Sequence, residues 1–80
     1  MIKLKITIGY KEGVEDPEGL AVKNSLKLLN FGNVNSVKVL KVYEILIEDT
    51  EDAKKEAEEM CDRLLVNPVI HDYRIEMERV

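Results

Sequence analysis

The chain has 80 residues, of which 45% are hydrophobic and 35% are charged, and its formal net charge is −4 at pH 7. These values indicate one small globular domain, residues 1–80, whose own core is modest in size. The basic residues are not clustered and no apolar run approaches membrane-spanning length, so neither nucleic acid nor a membrane is an expected partner.

The first predicted elements are a strand and a helix. The strand is half-buried, because apolar and polar residues alternate and place on one face Ile2, Leu4, Ile6 and Ile8. Asp16-Pro17 predicts a helix start, since aspartate caps free N–H groups and proline is tolerated at the first helical position. We expect Gly32 to end this helix as its C′ residue. The apolar face comprises Ala21, Val22, Ser25, Leu26, Leu28 and Leu29.

Gly19 lies in the first turn of this predicted helix. Glycine is less favourable than alanine in a helix, so its presence suggests a close approach by another backbone segment.

Residues 34–48 are rich in β-branched side chains, and two interpretations stay open. A hairpin with a tight turn near Leu40-Lys41 is favoured, because strands of about 13 residues are rare in small domains. One long, bent strand is the alternative, because Leu40-Lys41 offers no Gly, Asn or Asp for a two-residue turn.

A second helix and a last strand complete the pattern. Asp49 or Thr50 is the expected cap, and Asn67-Pro68 the expected stop. The predicted buried stripe of the helix comprises Ala53, Ala57, Met60, Cys61, Leu64 and Leu65. The final strand places on one face Val69, His71, Tyr73, Ile75 and Met77.

The element order β-α-β-β-α-β predicts an α+β fold. Its simplest form is a two-layer sandwich, an antiparallel sheet with two helices on one face, as in ferredoxin-like domains. The opposite face is expected to carry Leu40, Val42, Leu46 and Ile70. Because contiguous apolar surface usually marks association, Leu40, Val42 and Leu46 are candidate self-association residues.

No set of residues suggests catalysis, cofactor binding or a metal site. His71 is the only histidine and has no evident partner nucleophile, so a structural or interface role is expected. Cys61 falls on an apolar stripe and is expected to pack. A lone cysteine and an immediate strand pattern, which leaves no room for a signal peptide, lead us to expect a cytoplasmic protein.

Two further segments could suggest ligand binding, but the sequence does not support it. The acidic run Asp49, Glu51 and Asp52 lacks calcium-loop spacing and suits a helix N-terminus. The glycines at 9 and 13 lack phosphate-loop spacing.

Three motifs, in this order and spacing, resemble the PurS family of small subunits of phosphoribosylformylglycinamidine synthase. They are Asp16-Pro17-Glu18-Gly19, then Val37-Lys38-Val39 with Lys41 and Glu44, and then residues 61–73 with Leu64-Leu65-Val66-Asn67-Pro68. The resemblance covers nearly the whole chain. Two positions depart from the family pattern, since that family typically has glycine at Leu40 and glutamate at His71.

The resemblance implies a non-catalytic subunit in de novo purine biosynthesis. Such chains form homodimers or homotetramers and bridge a glutaminase subunit, which releases ammonia, and a large synthetase subunit. The synthetase uses ATP and magnesium to activate the amide oxygen of formylglycinamide ribonucleotide, whereas this chain is expected to bind no cofactor. The candidate partner-contact residues are Asp16, Pro17, Gly19, Asn67, Pro68, His71, Asp72 and Tyr73.

A second hypothesis is a free-standing regulatory domain. A ferredoxin-like or ACT-like chain of this size would bind a small metabolite at an interface between subunits.

Overall fold

The structure is a computed structural model that describes residues 1–80. Its elements are β1 (Ile2–Tyr10), α1 (Pro17–Leu28), β2 (Lys41–Ile47), α2 (Ala53–Met60), which continues as a π-helical turn over Cys61–Leu65, and β3 (His71–Arg79). The three strands form one antiparallel sheet in the order β2-β1-β3. The predicted α+β class and antiparallel sheet are therefore confirmed.

β1 is the central strand of the sheet. Because its apolar and polar residues alternate, one face carries the buried side chains Ile2, Leu4, Ile6 and Ile8, as predicted. We call this the inner face. On this face Ile6 lies between Tyr43 of β2 and Ile75 of β3. An apolar strand that is paired along both edges forms the centre of the core.

α2 covers this inner face with small side chains. Ala53, Ala57 and Cys61 are buried at intervals of four residues, as expected for one face of a helix. The helix starts later than predicted: Asp52 occupies the cap position, and the Thr50 hydroxyl accepts its N–H at 3.2 Å. The predicted cap at residue 49 or 50 was wrong because Thr50 instead forms a turn before the helix.

The π-helical turn changes which side chains face the core. The N–H of Val66 donates to the carbonyl of Cys61 at 3.0 Å, five residues back, so this turn is wider than an α-helical one. Val66 is consequently buried, whereas Leu64 is 83% exposed. The predicted burial of Leu64 was wrong, because regular helical spacing does not continue past Cys61.

α1 lies away from the sheet. It makes no substantial contact with any strand or with α2, and Gly19 is its only buried residue. The molecule is 50 Å long and only 14 Å thick, and its radius of gyration is 16.1 Å. A compact domain of this length would have about 12 Å. Within one chain, only one of the two helices expected on the sheet face is in place.

α1 begins as predicted but ends differently. Asp16 is the N-cap and Pro17 the first helical residue. At the other end Asn30 has φ = 74°, and the N–H of Phe31 donates to Leu26. The prediction of Gly32 as the C′ residue was wrong, because asparagine also adopts the left-handed conformation and occurs two residues earlier.

The chain returns from α1 to β2 through residues 31–40, here called the return segment. No strand pairing precedes Lys41, and the tight turn predicted at Leu40-Lys41 is absent. α1 and the return segment together form an arm, residues 17–40, that projects from the sheet.

The Asp16 carboxylate holds the arm together. One oxygen accepts the N–H of Gly19 at 2.9 Å, and the other accepts the N–H of Val39 in the return segment, also at 2.9 Å. The N–H groups of Val39 and Gly19 hold the pKa of this carboxyl below its ordinary value. The ionised form therefore stabilises both the helix start and the return segment.

Gly19 allows the same two segments to approach closely. A Cβ atom here would lie closer to the Val37 carbonyl oxygen than real Cβ atoms come. The close backbone approach predicted from the sequence is confirmed, and the approaching backbone belongs to this chain.

We expect Asp16→Asn to release the return segment but keep the helix cap. Asparagine offers one oxygen to Gly19, whereas its NH2 group would face the N–H of Val39. Backbone amide NMR should show a changed Val39 signal and a retained Gly19 signal, and Asp16→Ala should change both.

Acid should release the return segment in the unmodified chain. The pKa of the Asp16 carboxyl is lower in the folded chain than in the unfolded chain. The stabilisation that its ionised form gives is therefore present above the unfolded pKa and is lost as pH falls through the folded pKa. A Val39 amide that does not respond to acid would contradict this assignment.

Gly19→Ala should destabilise the arm although alanine favours a helix by up to about 1 kcal/mol. The reason is the collision with the Val37 carbonyl oxygen. Gly32→Ala is the matched control, since nothing lies within 4 Å of a Cβ there and its φ is not positive. Urea unfolding followed by circular dichroism should give a lower free energy of unfolding for Gly19→Ala only. Equal effects of the two substitutions would show that the approach at Gly19 is loose.

Candidate partner-contact surface

All three motifs found in the sequence meet at one end of the sheet. β1 ends there at Tyr10, and β2 and β3 begin there at Lys41 and His71. A cavity of about 360 Å³ at this end is lined by Asp16 and His71, together with Tyr10 and Lys41. The fold thus brings together residues that are 55 positions apart in the sequence.

Asn67 organises the loop before β3. Its carbonyl accepts the N–H of Ile70 at 3.1 Å and that of His71 at 2.8 Å, and its Oδ1 accepts the N–H of Val69 at 3.0 Å. Pro68 needs no acceptor and restricts Asn67 to a non-helical conformation. The Asn67-Pro68 pair therefore ends the helix and shapes the turn, as the sequence predicted.

His71 has a defined structural role. Its Nδ1 accepts the N–H of Asn67 at 3.0 Å, so in the neutral ring the proton is on Nε2. The ring also lies against Tyr10, with centroids 5.3 Å apart. These contacts fix the orientation of the imidazole at the wall of the cavity.

A second cavity, of about 270 Å³, lies beside the first. Its lining includes Pro68, His71, Asp72 and Tyr73, all predicted partner-contact residues, together with Asp62. Burial, and then the Asp62 carboxylate, raise the pKa of the Tyr73 hydroxyl, so it remains a hydrogen-bond donor at neutral pH. We refer to the linings of the two cavities as the sheet-end surface.

The predicted partner-contact residues differ in how they are placed. Asp16, Pro68, His71, Asp72 and Tyr73 line the sheet-end surface. The exposed Asn67 makes hydrogen bonds within its own loop, Pro17 is exposed at the helix start, and Gly19 is buried by its own chain. The partner-contact role of all eight residues stays a prediction.

Several lining residues were not named as contact candidates from the sequence, among them Tyr10, Lys11, Glu18 and Lys41. Glu18 and Lys41 belong to the motifs quoted above, whereas the only sequence signal of Tyr10 and Lys11 is their position at the end of the first predicted strand.

The candidate self-association residues lie on the outer face or beside it. Val42 is paired with Thr7 and Leu46 with Lys3, on the face opposite the core. The Leu40 side chain lies over Gly9, where a Cβ atom would come within 2.6 Å of it. All three predicted side chains are roughly half exposed, as expected, and their role in association stays a prediction.

Cys61 does not have the environment of a nucleophile. Its side chain is fully buried, and burial, followed by the charges of Asp62 and Glu58, raises the pKa of the thiol. The group therefore remains a thiol at neutral pH, as expected for a packing residue. No cluster of three or more His, Cys, Asp or Glu side chains could hold a metal ion. No helix combines the length and apolar character that crossing a membrane requires.

Comparisons with known proteins match one family over nearly the whole chain. The family model described as "PurS: Phosphoribosylformylglycinamidine (FGAM) synthase" matches residues 3–79. Phosphoribosylformylglycinamidine synthase subunit PurS from Methanocaldococcus jannaschii is 44% identical over 82 residues, which cover 100% of this chain and 99% of that protein. The Bacillus subtilis protein of the same name is 41% identical and is covered over 96% of its length, with all of this chain matched.

Solved structures show the same fold. The M. jannaschii PurS crystal structure superposes with a TM-score of 0.90 at 44% identity, covering 100% of this chain and 99% of that one. A chain in the structure of PurLQS from Thermotoga maritima gives a TM-score of 0.76 at 26% identity and 96% coverage of both chains. From its sequence, its length and its fold, this chain belongs to the PurS family of phosphoribosylformylglycinamidine synthase subunits.

Proposed function

We propose that this chain is the non-catalytic bridging subunit of phosphoribosylformylglycinamidine synthase, and that it acts in the cytoplasm. It would hold a glutaminase subunit beside the large synthetase subunit and support the passage of ammonia between them. ATP and magnesium would bind to the synthetase, where ammonia replaces the activated amide oxygen of formylglycinamide ribonucleotide.

One observation carries this proposal. A chain of the same fold, matched over 96% of both lengths, is part of the solved PurLQS structure from T. maritima. Family membership also favours this role over a free-standing metabolite-binding regulatory domain.

The sheet-end surface offers polar groups suited to partner contact. Lys41, Glu18 and Asp16 carry charges there, and His71 and Tyr73 add polar rings. Interfaces between subunits that separate and reassemble are more polar than a protein core, so this composition suits a bridging contact.

We also propose that the working form is a homodimer or homotetramer. The accessible surface of the single chain is 6268 Å², roughly 1,300 Å² more than the ~4,900 Å² expected for a compact monomer of this mass. That excess is larger than the ~800 Å² that each partner buries in a standard interface.

Omitting this chain should lower the glutamine-driven rate of a reconstituted synthetase and glutaminase on the order of 100-fold at low subunit concentration, the scale of gain that linking two partners provides. The ammonia-driven rate should change little, because free ammonia does not need the bridge. The chain alone, and its Cys61→Ala variant, serve as controls and should hydrolyse neither glutamine nor ATP. An unchanged glutamine-driven rate without this chain would rule out the bridging role.

Sedimentation equilibrium at micromolar concentration should show that the isolated chain is not a monomer. The expected mass is that of a dimer or tetramer, because a single chain leaves α1 without a contact on the sheet. A uniform species near 9.2 kDa would contradict the proposed homo-oligomer.

A further inference from the structure

We propose that His71 is a pH-sensitive switch, which holds the loop before β3 while its imidazole is neutral and releases that loop when the ring is protonated. The loop comprises residues 66–70 and connects the π-helical turn to β3. The switch is separate from the bridging role, because the loop and the histidine that holds it belong to one chain.

Two hydrogen bonds of opposite direction join Asn67 to His71. The Asn67 N–H donates to Nδ1 of the imidazole at 3.0 Å, and the His71 N–H donates to the Asn67 carbonyl at 2.8 Å. The same carbonyl accepts the N–H of Ile70, and the Asn67 Oδ1 accepts that of Val69. Carbonyl and amide oxygens do not change their charge with pH, so among these acceptors Nδ1 alone can be titrated.

Protonation turns this acceptor into a donor. A neutral imidazole has one N–H and one free lone pair, whereas an imidazolium has an N–H at each ring nitrogen. The Asn67 N–H then faces the Nδ1–H of His71 over 3.0 Å, and two donors form no hydrogen bond. Histidine is the side chain that ordinarily changes its charge between about pH 5 and 8, and the chain has one histidine. The bond is therefore present at the upper end of this range and is lost as pH falls.

The surroundings of the ring suit the protonated form as well. Four carboxylates and two amines line the two cavities with it: Asp16 and Glu18 at the start of α1, Asp62 in the π-helical turn, Asp72 in β3, Lys11 after β1 and Lys41 in β2. The hydroxyls of Tyr10 and Tyr73 are the other titratable groups there. Because acidic groups outnumber basic ones, the released imidazolium has acceptors on both sides. The Asn67 N–H is exposed and can bind water instead.

Release of the loop changes the sheet-end surface. Pro68 lines the second cavity together with His71, and the Ile70 carbonyl accepts the N–H of Lys11 at 2.8 Å, which ties the loop to the end of β1. Protonation removes one of the two bonds between Asn67 and His71 and leaves the other bonds of the loop in place. Acid therefore loosens the loop and reshapes the cavity without unfolding β3.

An NMR titration of the isolated chain between about pH 5 and 8 tests the switch. The ring ¹⁵N signals of His71 should show a proton on Nε2 alone at the upper end and on both nitrogens at the lower end. The Asn67 amide signal should move with the same midpoint. Its hydrogen exchange, corrected for the intrinsic effect of pH, should become about fivefold faster, as expected for the loss of one ordinary hydrogen bond. The amide of Lys3, at the other end of β1, should not respond.

Two variants separate the titration from the hydrogen bond. His71→Asn places an amide oxygen one bond beyond Cγ, where Nδ1 lies, and so keeps an acceptor that does not titrate. His71→Gln places its oxygen one bond farther out and loses that acceptor. The Asn67 amide should not respond to pH in either variant. At the upper end of the range its exchange should be as slow in His71→Asn as in the unmodified chain, and about fivefold faster in His71→Gln.

Three results would overturn the proposal: an Asn67 signal that stays constant while the His71 ring titrates, the same acid response in His71→Asn, or a proton on Nδ1 at the upper end of the range. Asp16 cannot mimic the response, because the N–H groups of Val39 and Gly19 lower the pKa of its carboxyl and keep it ionised throughout. The other subunits take no part in these measurements, so failure here is distinguishable from failure of the bridging role, which the reconstituted rates test.

Discussion

Burial of the inner face of β1 is the constraint on which the rest of the structure depends. Four of the nine buried residues belong to this one strand, and α2 covers them with alanine and cysteine side chains. Each fully buried aliphatic side chain contributes about 1.5–3 kcal/mol, so this single face supplies most of the apolar stabilisation. Since α2 alone covers that face, the edge strand β2 is left only half covered. The inner face therefore stays open between α2 and Ile45 of β2.

The chain therefore has two parts that are stabilised differently. The sheet and α2 are held together by apolar packing, whereas the arm is ordered by a few polar contacts around Asp16. A carboxylate that accepts two backbone N–H groups holds the arm without using apolar surface. The apolar residues of α1, among them the 86% exposed Leu28, consequently take no part in the core of the single chain. The sheet-end surface lies beside the same carboxylate, so the position of the arm and the shape of the proposed partner contact are linked.

Local signals in the sequence predicted the local structure well. Alternation of apolar and polar residues identified β1, Asp16-Pro17 identified the start of α1, and Asn67-Pro68 identified the end of the second helix. Each of these signals depends only on residues that are close together in the sequence. The exposure of Leu64 could not be predicted, since it depends on a π-helical turn that has no sequence signature. The position of α1 could not be predicted either, because its apolar face looks the same whether its contact is in the same chain or another. At the sheet-end surface, Asp16 and His71 were named as contact candidates from the sequence, but Lys41 and Glu18 were not, because only the folded chain shows that they line the same cavity.

The strand order has a consequence for how the protein is made. β1 is made well before its partner β3, because the residues that pair between the two strands are 61 to 77 positions apart in the sequence. Contacts so distant in sequence are slow to form, because most of the chain must be closed into a loop first. During translation Leu4 and Ile6 stay exposed until β2 and α2 have been made, and one edge of β1 stays unpaired until residues 71–79 have left the ribosome. The contacts of Asp16 with the return segment can form earlier. An apolar strand that must wait for its partner is a natural binding site for a chaperone that holds extended, nonpolar segments.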